Sequence, residues 1–344
     1  MTSASLCAAA ALAVFGLAYL STVFLIAHQF TTPTRVAPIA LPDDATGRFA
    51  RVSFQSRGDA LNIVAWYRAV SSATAAVVMV HGRDGCRGNE LRCSTFGLAE
   101  RIAAAGMSVV MIDLRGHGDS GSGRLTFGRH EYRDVLGAVD FLLARGYQPT
   151  KIGVFGASMG GVSGIAAAAA EPAIGALIID SAFADLELLL RAQFRRLTRL
   201  PTCFLRGALL AARILTGTQL TAHPPRHLMR VLRGRPVLVI HAAGDPFVPV
   251  RHAHLLANAG NTALWITPGA RHLSSASAVG ARYLDVVARF FAEALVARSP
   301  RVALLRTGDM PPVGFSSRAS VARAAVISSH DLLRVTPRRT SRRK

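Results

Sequence analysis

The stretch Gly156-Ala157-Ser158-Met159-Gly160 constrains this chain more than any other. It follows an apolar run, Lys151-Ile152-Gly153-Val154-Phe155, that reads as a short buried strand. It continues through Gly161-Val162-Ser163-Gly164-Ile165 into an Ala-rich helix. A strand that passes straight into a helix across G-x-S-x-G turns so tightly that the serine is forced into strained backbone. Side chains two positions to either side would strike the adjoining helix and strand, which accounts for Gly156 and Gly160. The turn lifts the Ser158 hydroxyl to the top of a sheet and aims the first N–H groups of the helix at whatever it attacks. The bare pattern also recurs in surface turns; the flanking strand and helix make Ser158 a candidate nucleophile.

A nucleophilic serine needs a base, and the base needs an orienting carboxylate. On this kind of turn the partners follow the serine in the order acid, then histidine. His28, His81, His117 and His130 come too early, and His223 and His227 precede the next apolar strand, Arg235 to Ile240. That strand runs into His241-Ala242-Ala243-Gly244-Asp245-Pro246, which presents Asp245 at the carboxyl edge of the sheet. His252 and His254 fall on the following helix, too close in sequence to swing back. After a further strand, Ala263 to Ile266, the loop Pro268-Gly269-Ala270-Arg271-His272 offers His272 as the base. His330 lies in a basic tail. Asp180 is a rival acid, because it ends the strand Ala176-Leu177-Ile178-Ile179. Alone, an Asp after a strand is a turn residue or a cap. The ordered set Ser158, Asp245, His272, each closing a separate strand, carries the assignment.

The developing negative charge needs donors. The buried-strand run Ala75 to Val80 ends in His81-Gly82-Arg83, where a loop N–H can complement the one beside the nucleophile. The expected pair is the Arg83 and Met159 N–H groups, with Gly82 permitting close backbone approach. His81 reads as a packed structural histidine.

With these residues in place the chain resembles the α/β-hydrolase superfamily, over about residues 48 to 297. The markers are His81-Gly82, Asp113-Leu114-Arg115-Gly116-His117-Gly118-Asp119-Ser120, the serine turn, Asp245-Pro246-Phe247-Val248-Pro249, and His272. The resemblance implies a structural role for the Arg-Gly-His-Gly loop after the strand Ser108 to Ile112. It looks closest to membrane-associated serine hydrolases and peptidase-like esterases, which share Asp180-Ser181-Ala182-Phe183. His241-Ala242 stands where relatives often have His-Gly, and Arg271 where many have a small residue, a change at the pocket rim. Serine at the turn argues against the dehalogenase and epoxide-hydrolase branches, whose chemistry needs a carboxylate nucleophile.

Apolar β-branched runs alternate with helical patterns such as Tyr132 to Ala144, as in a mostly parallel sheet covered by helices on both faces. The α/β-hydrolase fold is therefore expected over 48–298, with a small helical lid at about 185–233. In that lid Leu186, Leu188, Leu189, Leu190, Phe194, Phe204, Leu209 and Leu210 are interleaved with Arg191, Arg195, Arg196, Arg199 and Arg206. Such helices pack on a core, roof an apolar pocket or lie on a membrane.

Leu6 to Ala27 is an uncharged apolar run of 22 residues. As a helix it spans about 33 Å, enough for a bilayer core. A cleaved signal peptide would show a charged leader and small residues at its end. Met1 to Ser5 has no Lys or Arg, and Leu25-Ile26-Ala27 is bulky, so residues 1–30 read as an uncleaved single-pass anchor. Residues 31–47 read as a linker. Arg35 on the trailing side leans toward a cytoplasmic catalytic domain. Against that lean, Cys86 and Cys93 share one loop and could bridge in an oxidising compartment, although four cysteines without metal-type spacing are more often free thiols.

The net charge of +20 is not a nucleic-acid signal. Lys occurs only at Lys151 and Lys344, so the basicity is an arginine bias, and no nucleic-acid-binding motif is present. Residues 299–344 carry ten basic and two acidic residues, +8 of that charge, in a Ser/Pro/Arg-rich segment expected to be a disordered tail. Attraction to anionic lipid and a solvated tail without a role both fit it.

The expected function is a serine hydrolase cleaving carboxylic esters or thioesters through an acyl-enzyme, on small-molecule or lipid-like acyl substrates, with no metal and no cofactor. Peptidase and acyltransferase activities of the same fold, and a non-catalytic membrane-tethered scaffold, stay open, as does the oligomeric state.

Overall fold

The protein is described from a computed structural model, at residues 3–37, 41, 47–91 and 94–297. Part of the expected linker, Cys93 and the basic tail lie outside the described residues, and so does the question of a Cys86–Cys93 bridge.

The strand runs expected from the sequence form β3 (Ala76–Val80), β4 (Ser108–Ile112), β5 (Ile152–Ala157), β6 (Ile174–Asp180), β7 (Val237–Ala242) and β8 (Ala263–Thr267). All are mutually parallel where they pair. Ahead of them β1 (Ala50–Gln55) and β2 (Asn62–Arg68) add an antiparallel edge, giving the order β1-β2-β4-β3-β5-β6-β7-β8. The sheet is buried on both faces, and strand residues alternate between two cores. Val78, Val80, Val110, Ile112 and Val154 face one core; Val77, Met79, Val109, Met111 and Phe155 face the other. This period of two explains why the central strands read as unbroken apolar runs.

Helices α3 (Tyr132–Leu143), α4 (Met159–Ala170) and α8 (Arg251–Gly260) cover the first face. On the second lie α2 (Thr95–Ala104), α9 (Ser275–Val279) and α10 (Ala281–Phe291). The lid segment between β6 and β7 holds α5 (Leu186–Thr198), α6 (Phe204–Thr216) and the short α7 (Pro225–Leu228). Asp185 caps α5, its carboxylate accepting the Leu188 N–H at 3.1 Å.

The N-terminal helix α1 (Ser3–Thr31) is long and apolar enough to cross a membrane. It divides into two regimes. Leu12 and Phe15 are 74% exposed, whereas Val23, Ile26 and Ala27 are buried in the core with α6. The Tyr19 ring lies 5.1 Å from that of Phe204. The chain leaving α1 lies along the domain: Leu125 N–H donates to Thr31 O at 2.7 Å, and Arg35 to Gly118 O at 2.8 Å. The final turns of α1 are thus part of the folded unit.

Close approach of α1 and α6 requires Gly207, where a Cβ would lie 2.5 Å from Tyr19 Oη and 2.8 Å from Val23 Cγ1. Gly207→Val should therefore destabilise the full-length protein by about 1–3 kcal/mol, as overpacking does. Differential scanning calorimetry in lipid nanodiscs should show a melting midpoint lower by about 2–10 °C. An unchanged midpoint would contradict the packing of α1 on α6.

Candidate active site

The β5–α4 turn has the strained form its sequence implies. Ser158 stands at φ 52°, ψ −117°, a conformation costly for any L-residue with a side chain. Its N–H donates to Asp180 O at 2.8 Å, and its carbonyl accepts from Gly161 N–H at 3.0 Å. A Cβ on Gly156 would meet Gly160 O at 2.4 Å, and one on Gly160 would meet His81 O and Val80 O at 2.4 Å. The two glycines let α4 press against both β5 and the end of β3.

Three sequence-selected side chains meet here. His272 Nε2 lies 2.9 Å from Ser158 Oγ, and His272 Nδ1 lies 2.6 Å from Asp245 Oδ2. The other oxygen of Asp245 accepts the Phe247 and Val248 N–H groups at 2.8 and 2.9 Å. Burial alone would raise the Asp245 carboxyl, but the His272 hydrogen bond and charge, with these N–H donors, bring it below its ordinary value. It therefore stays ionised and holds the imidazole with Nδ1–H toward itself, leaving Nε2 to accept the serine proton. Phe247 contacts the imidazole edge-on, with ring centres 5.3 Å apart. The acid loop is tied to the lid: Gln193 Nε2 of α5 donates to Pro246 O and Phe247 O at 2.9 and 2.7 Å.

Asp180, the rival acid, has other partners. Its carboxylate accepts from Tyr283 Oη at 2.7 Å and Ser181 Oγ at 2.8 Å, and burial raises it against those bonds. It joins β6 to α10 while its backbone holds the serine N–H.

Gly82 packs directly on the serine, since a Cβ there would lie 3.0 Å from Ser158 Cβ. Arg83 follows it, and Met159 is the first residue of α4. Among the described residues, neither the Arg83 nor the Met159 N–H donates a hydrogen bond within the protein. His81 and His117 stand behind this loop as neutral imidazoles. His81 Nε2 accepts the Leu114 N–H at 3.0 Å and Nδ1 donates to Gly82 O at 2.7 Å; burial drives its pKa down to about 3. His117 donates to Arg115 O and accepts the Asp84 N–H. The chain leaving α1 touches the same loop, through Arg83 Nη2 to Gln29 O at 3.1 Å and Thr34 N–H to Asp84 at 2.7 Å.

Sequence reasoning missed Glu90 and Tyr283. Only Tyr283 left a trace, as one apolar-periodic position of α10. The Glu90 carboxyl fills the space that Gly82 and Gly85 leave open, with the Gly82 N–H against it. No group of three or more potential metal ligands occurs among the described residues.

Comparison with known proteins gives a consistent picture. Residues 71–220 match a family of hydrolases described as serine aminopeptidase, S33. That range contains Ser158 and ends before Asp245. A stretch of 175 residues is 30% identical to the uncharacterized protein YqkD of Bacillus subtilis (strain 168) and covers 49% of this chain. The match spans 57% of that relative, little more than half its length. Among solved structures, the Pyrococcus furiosus esterase Pf2001 superposes with a TM-score of 0.63 at 21% identity, covering 77% of this chain and 98% of its own. The α/β hydrolase GrgF from Penicillium sp. sh18 gives 0.58 at 18% identity, covering 75% and 100%. At these identities the likeness is one of fold.

Packing raises the pKa of Glu90 from 4.5 to about 8, burial outweighing the Gly82 N–H while Asp180 adds repulsion. Between those values the folded protein keeps a proton that the unfolded chain has released, so stability falls as pH rises through this window. Glu90→Gln should flatten that fall. Urea midpoints at pH 5.5 and 8 should differ less in the variant than in the wild type, and an equal difference would assign the proton to another group.

Proposed function

We propose that this chain, a member of the α/β-hydrolase superfamily, is a membrane-anchored serine hydrolase that cleaves carboxylic esters or thioesters. The observation that carries the reading is the continuous line Ser158 Oγ, His272 Nε2, His272 Nδ1, Asp245 Oδ2, with both links inside hydrogen-bond distance. Ser158 Oγ attacks the acyl carbon while His272 Nε2 takes its proton. The Asp245 carboxylate stabilises the resulting imidazolium and fixes its orientation. The Arg83 and Met159 N–H groups receive the oxyanion; one such donor is worth about 3 kcal/mol in the transition state. The imidazolium then gives its proton to the leaving alcohol or thiol, releasing it and leaving an acyl-enzyme. Water, deprotonated by His272, resolves that ester and regenerates Ser158.

The acyl substrate is lipid-like. Support comes from α1, which brings the domain to a bilayer surface, and from the apolar cleft beside α4 lined by Val162, Ala166, Leu186 and Leu228. Residues 1–30 serve as the anchor and 48–298 as the catalytic unit.

The roles of the two acids separate kinetically. With p-nitrophenyl butyrate as substrate, Asp245→Asn should lower kcat by about 10⁴-fold with little change in KM. Asp180→Asn, whose side chain can still accept from Tyr283, should lower it far less. The reverse ranking would transfer the orienting role to Asp180, and hydrolysis undiminished in Ser158→Ala would remove the mechanism altogether.

A further inference from the structure

Among the described residues, Arg129 has no counter-ion at the rim of an apolar cleft. The buried arginines Arg87 and Arg115 and the half-buried Arg235 show how such groups are held elsewhere in the domain. Arg87 pairs with Asp113 and, at 2.8 Å, with Asp119; Arg115 pairs with Asp134 at 2.6 Å and Asp59 at 2.7 Å. Arg235, which has no carboxylate contact, donates instead to the Ala168 and Glu171 carbonyls. Arg129 has neither: its Nε is shut off from solvent without a hydrogen-bond partner, and burial lowers the guanidinium with only the Tyr132 phenol opposing. The residue is half-buried, so its guanidinium stays available to an anion entering the cleft.

The loop that carries Arg129 is built rather than slack. The buried Glu131 carboxylate accepts three bonds from it: the Thr126 N–H and Oγ1–H, both at 2.6 Å, and the Gly128 N–H at 2.8 Å. This latch holds Phe127 at φ 54° and Gly128 at φ 92°, conformations that cost energy at Phe127 and suit glycine at 128. Glycine is needed there for a second reason, since a Cβ would lie 2.6 Å from Val162 Cγ1. The loop is thereby clamped on α4 one helical turn beyond Ser158. From that point the cleft runs along α4 past Val162, Ala166 and Ala170, roofed by Leu220 and Leu228 of the lid segment. Its enclosed part is narrow, about 60 Å³, and it opens to solvent. Its lining includes Arg129 and His223 and contains no Asp or Glu.

A long apolar wall with one unpaired cation matches one kind of ligand, an amphipathic monoanion. We propose that this cleft is a binding site for an aliphatic carboxylate, with the chain along α4 and the carboxylate paired to Arg129. The carboxylate has two possible sources under the hydrolase reading on which its biological meaning rests: the acid released by hydrolysis, or the far end of a dicarboxylic acyl substrate. Binding itself does not depend on that reading.

The test uses full-length Ser158→Ala protein in nanodiscs, with octanoate and octanol titrated by calorimetry against empty nanodiscs. Octanoate should bind at least tenfold more tightly than octanol. Arg129→Gln should remove that preference while leaving octanol affinity unchanged, and Arg129→Lys should retain part of it. Ala166→Phe, which fills the cleft from α4, should weaken both ligands. Octanoate binding no tighter than octanol, or indifferent to both Arg129 variants, would overturn the proposal. With Ser158 intact, mono-p-nitrophenyl suberate hydrolysed with at least tenfold higher kcat/KM than p-nitrophenyl octanoate would identify the carboxylate as part of the substrate. Equal rates, with octanoate acting as an inhibitor, would identify it as product. Loss of all hydrolysis with octanoate binding intact would count against the hydrolase reading and leave the site standing.

Discussion

Everything at the carboxyl edge of this sheet depends on one residue held in unfavourable backbone. Ser158 at φ 52° costs on the order of 1–3 kcal/mol. The surrounding structure gives it no alternative. Its N–H is fixed to Asp180 O, its carbonyl is engaged by Gly161 and Val162, and α4 is wedged between β5 and the end of β3 through glycines that admit no side chain. The strain keeps the hydroxyl clear of the turn and within reach of His272. Among the described residues it also leaves the first N–H of α4 without an internal partner, as the proposed oxyanion role requires.

Buried charge then fixes the loops around that serine. The loop from Asp113 to Ser120 is pinned by Arg87 to Asp113 and Asp119 on one side and by Arg115 to Asp134 and Asp59 on the other. His117 and His81, in edge-to-face contact at 4.9 Å, pass this rigidity to Gly82 and Arg83. Such pairs contribute little net stability but are costly to break singly, so they favour one arrangement over others. The chain leaving α1 joins the same assembly at Gln29, Thr34 and Arg35. A helix whose first half is apolar and exposed therefore ends as a strut beside the candidate oxyanion loop.

Much of this was legible in the sequence because it rests on local rules. The six parallel strands appear as apolar runs because both faces of the sheet are covered, and the serine turn announces itself through glycines that sterics demand. Ser158, Asp245 and His272 could be chosen by chain order, since each lies in the turn or loop that follows a parallel strand and those strand ends share an edge. What escaped was long-range. The edge strand β1 has a weaker, half-exposed alternation, exposed at Arg51, Ser53 and Gln55 and half-buried between them. The burial of Val23, Ile26 and Ala27 depends on a partner helix some 180 residues away, which no local pattern encodes. The partners of Asp180 and the carboxyl of Glu90 follow from packing against Tyr283 and Gly82, and the state of Arg129 shows only when it is set beside the ion-paired Arg87 and Arg115.

The proposed chemistry rests on a single oxygen, Ser158 Oγ, activated by its neighbours rather than by its own acidity. The most direct measurement is site identification after reaction with a fluorophosphonate. Full-length protein in nanodiscs is treated at neutral pH, digested with trypsin and read by mass spectrometry. The account predicts one phosphonyl adduct, on the peptide covering residues 152–191 and localised to Ser158 by fragmentation. An adduct on another residue, or folded protein that takes up none, would contradict it.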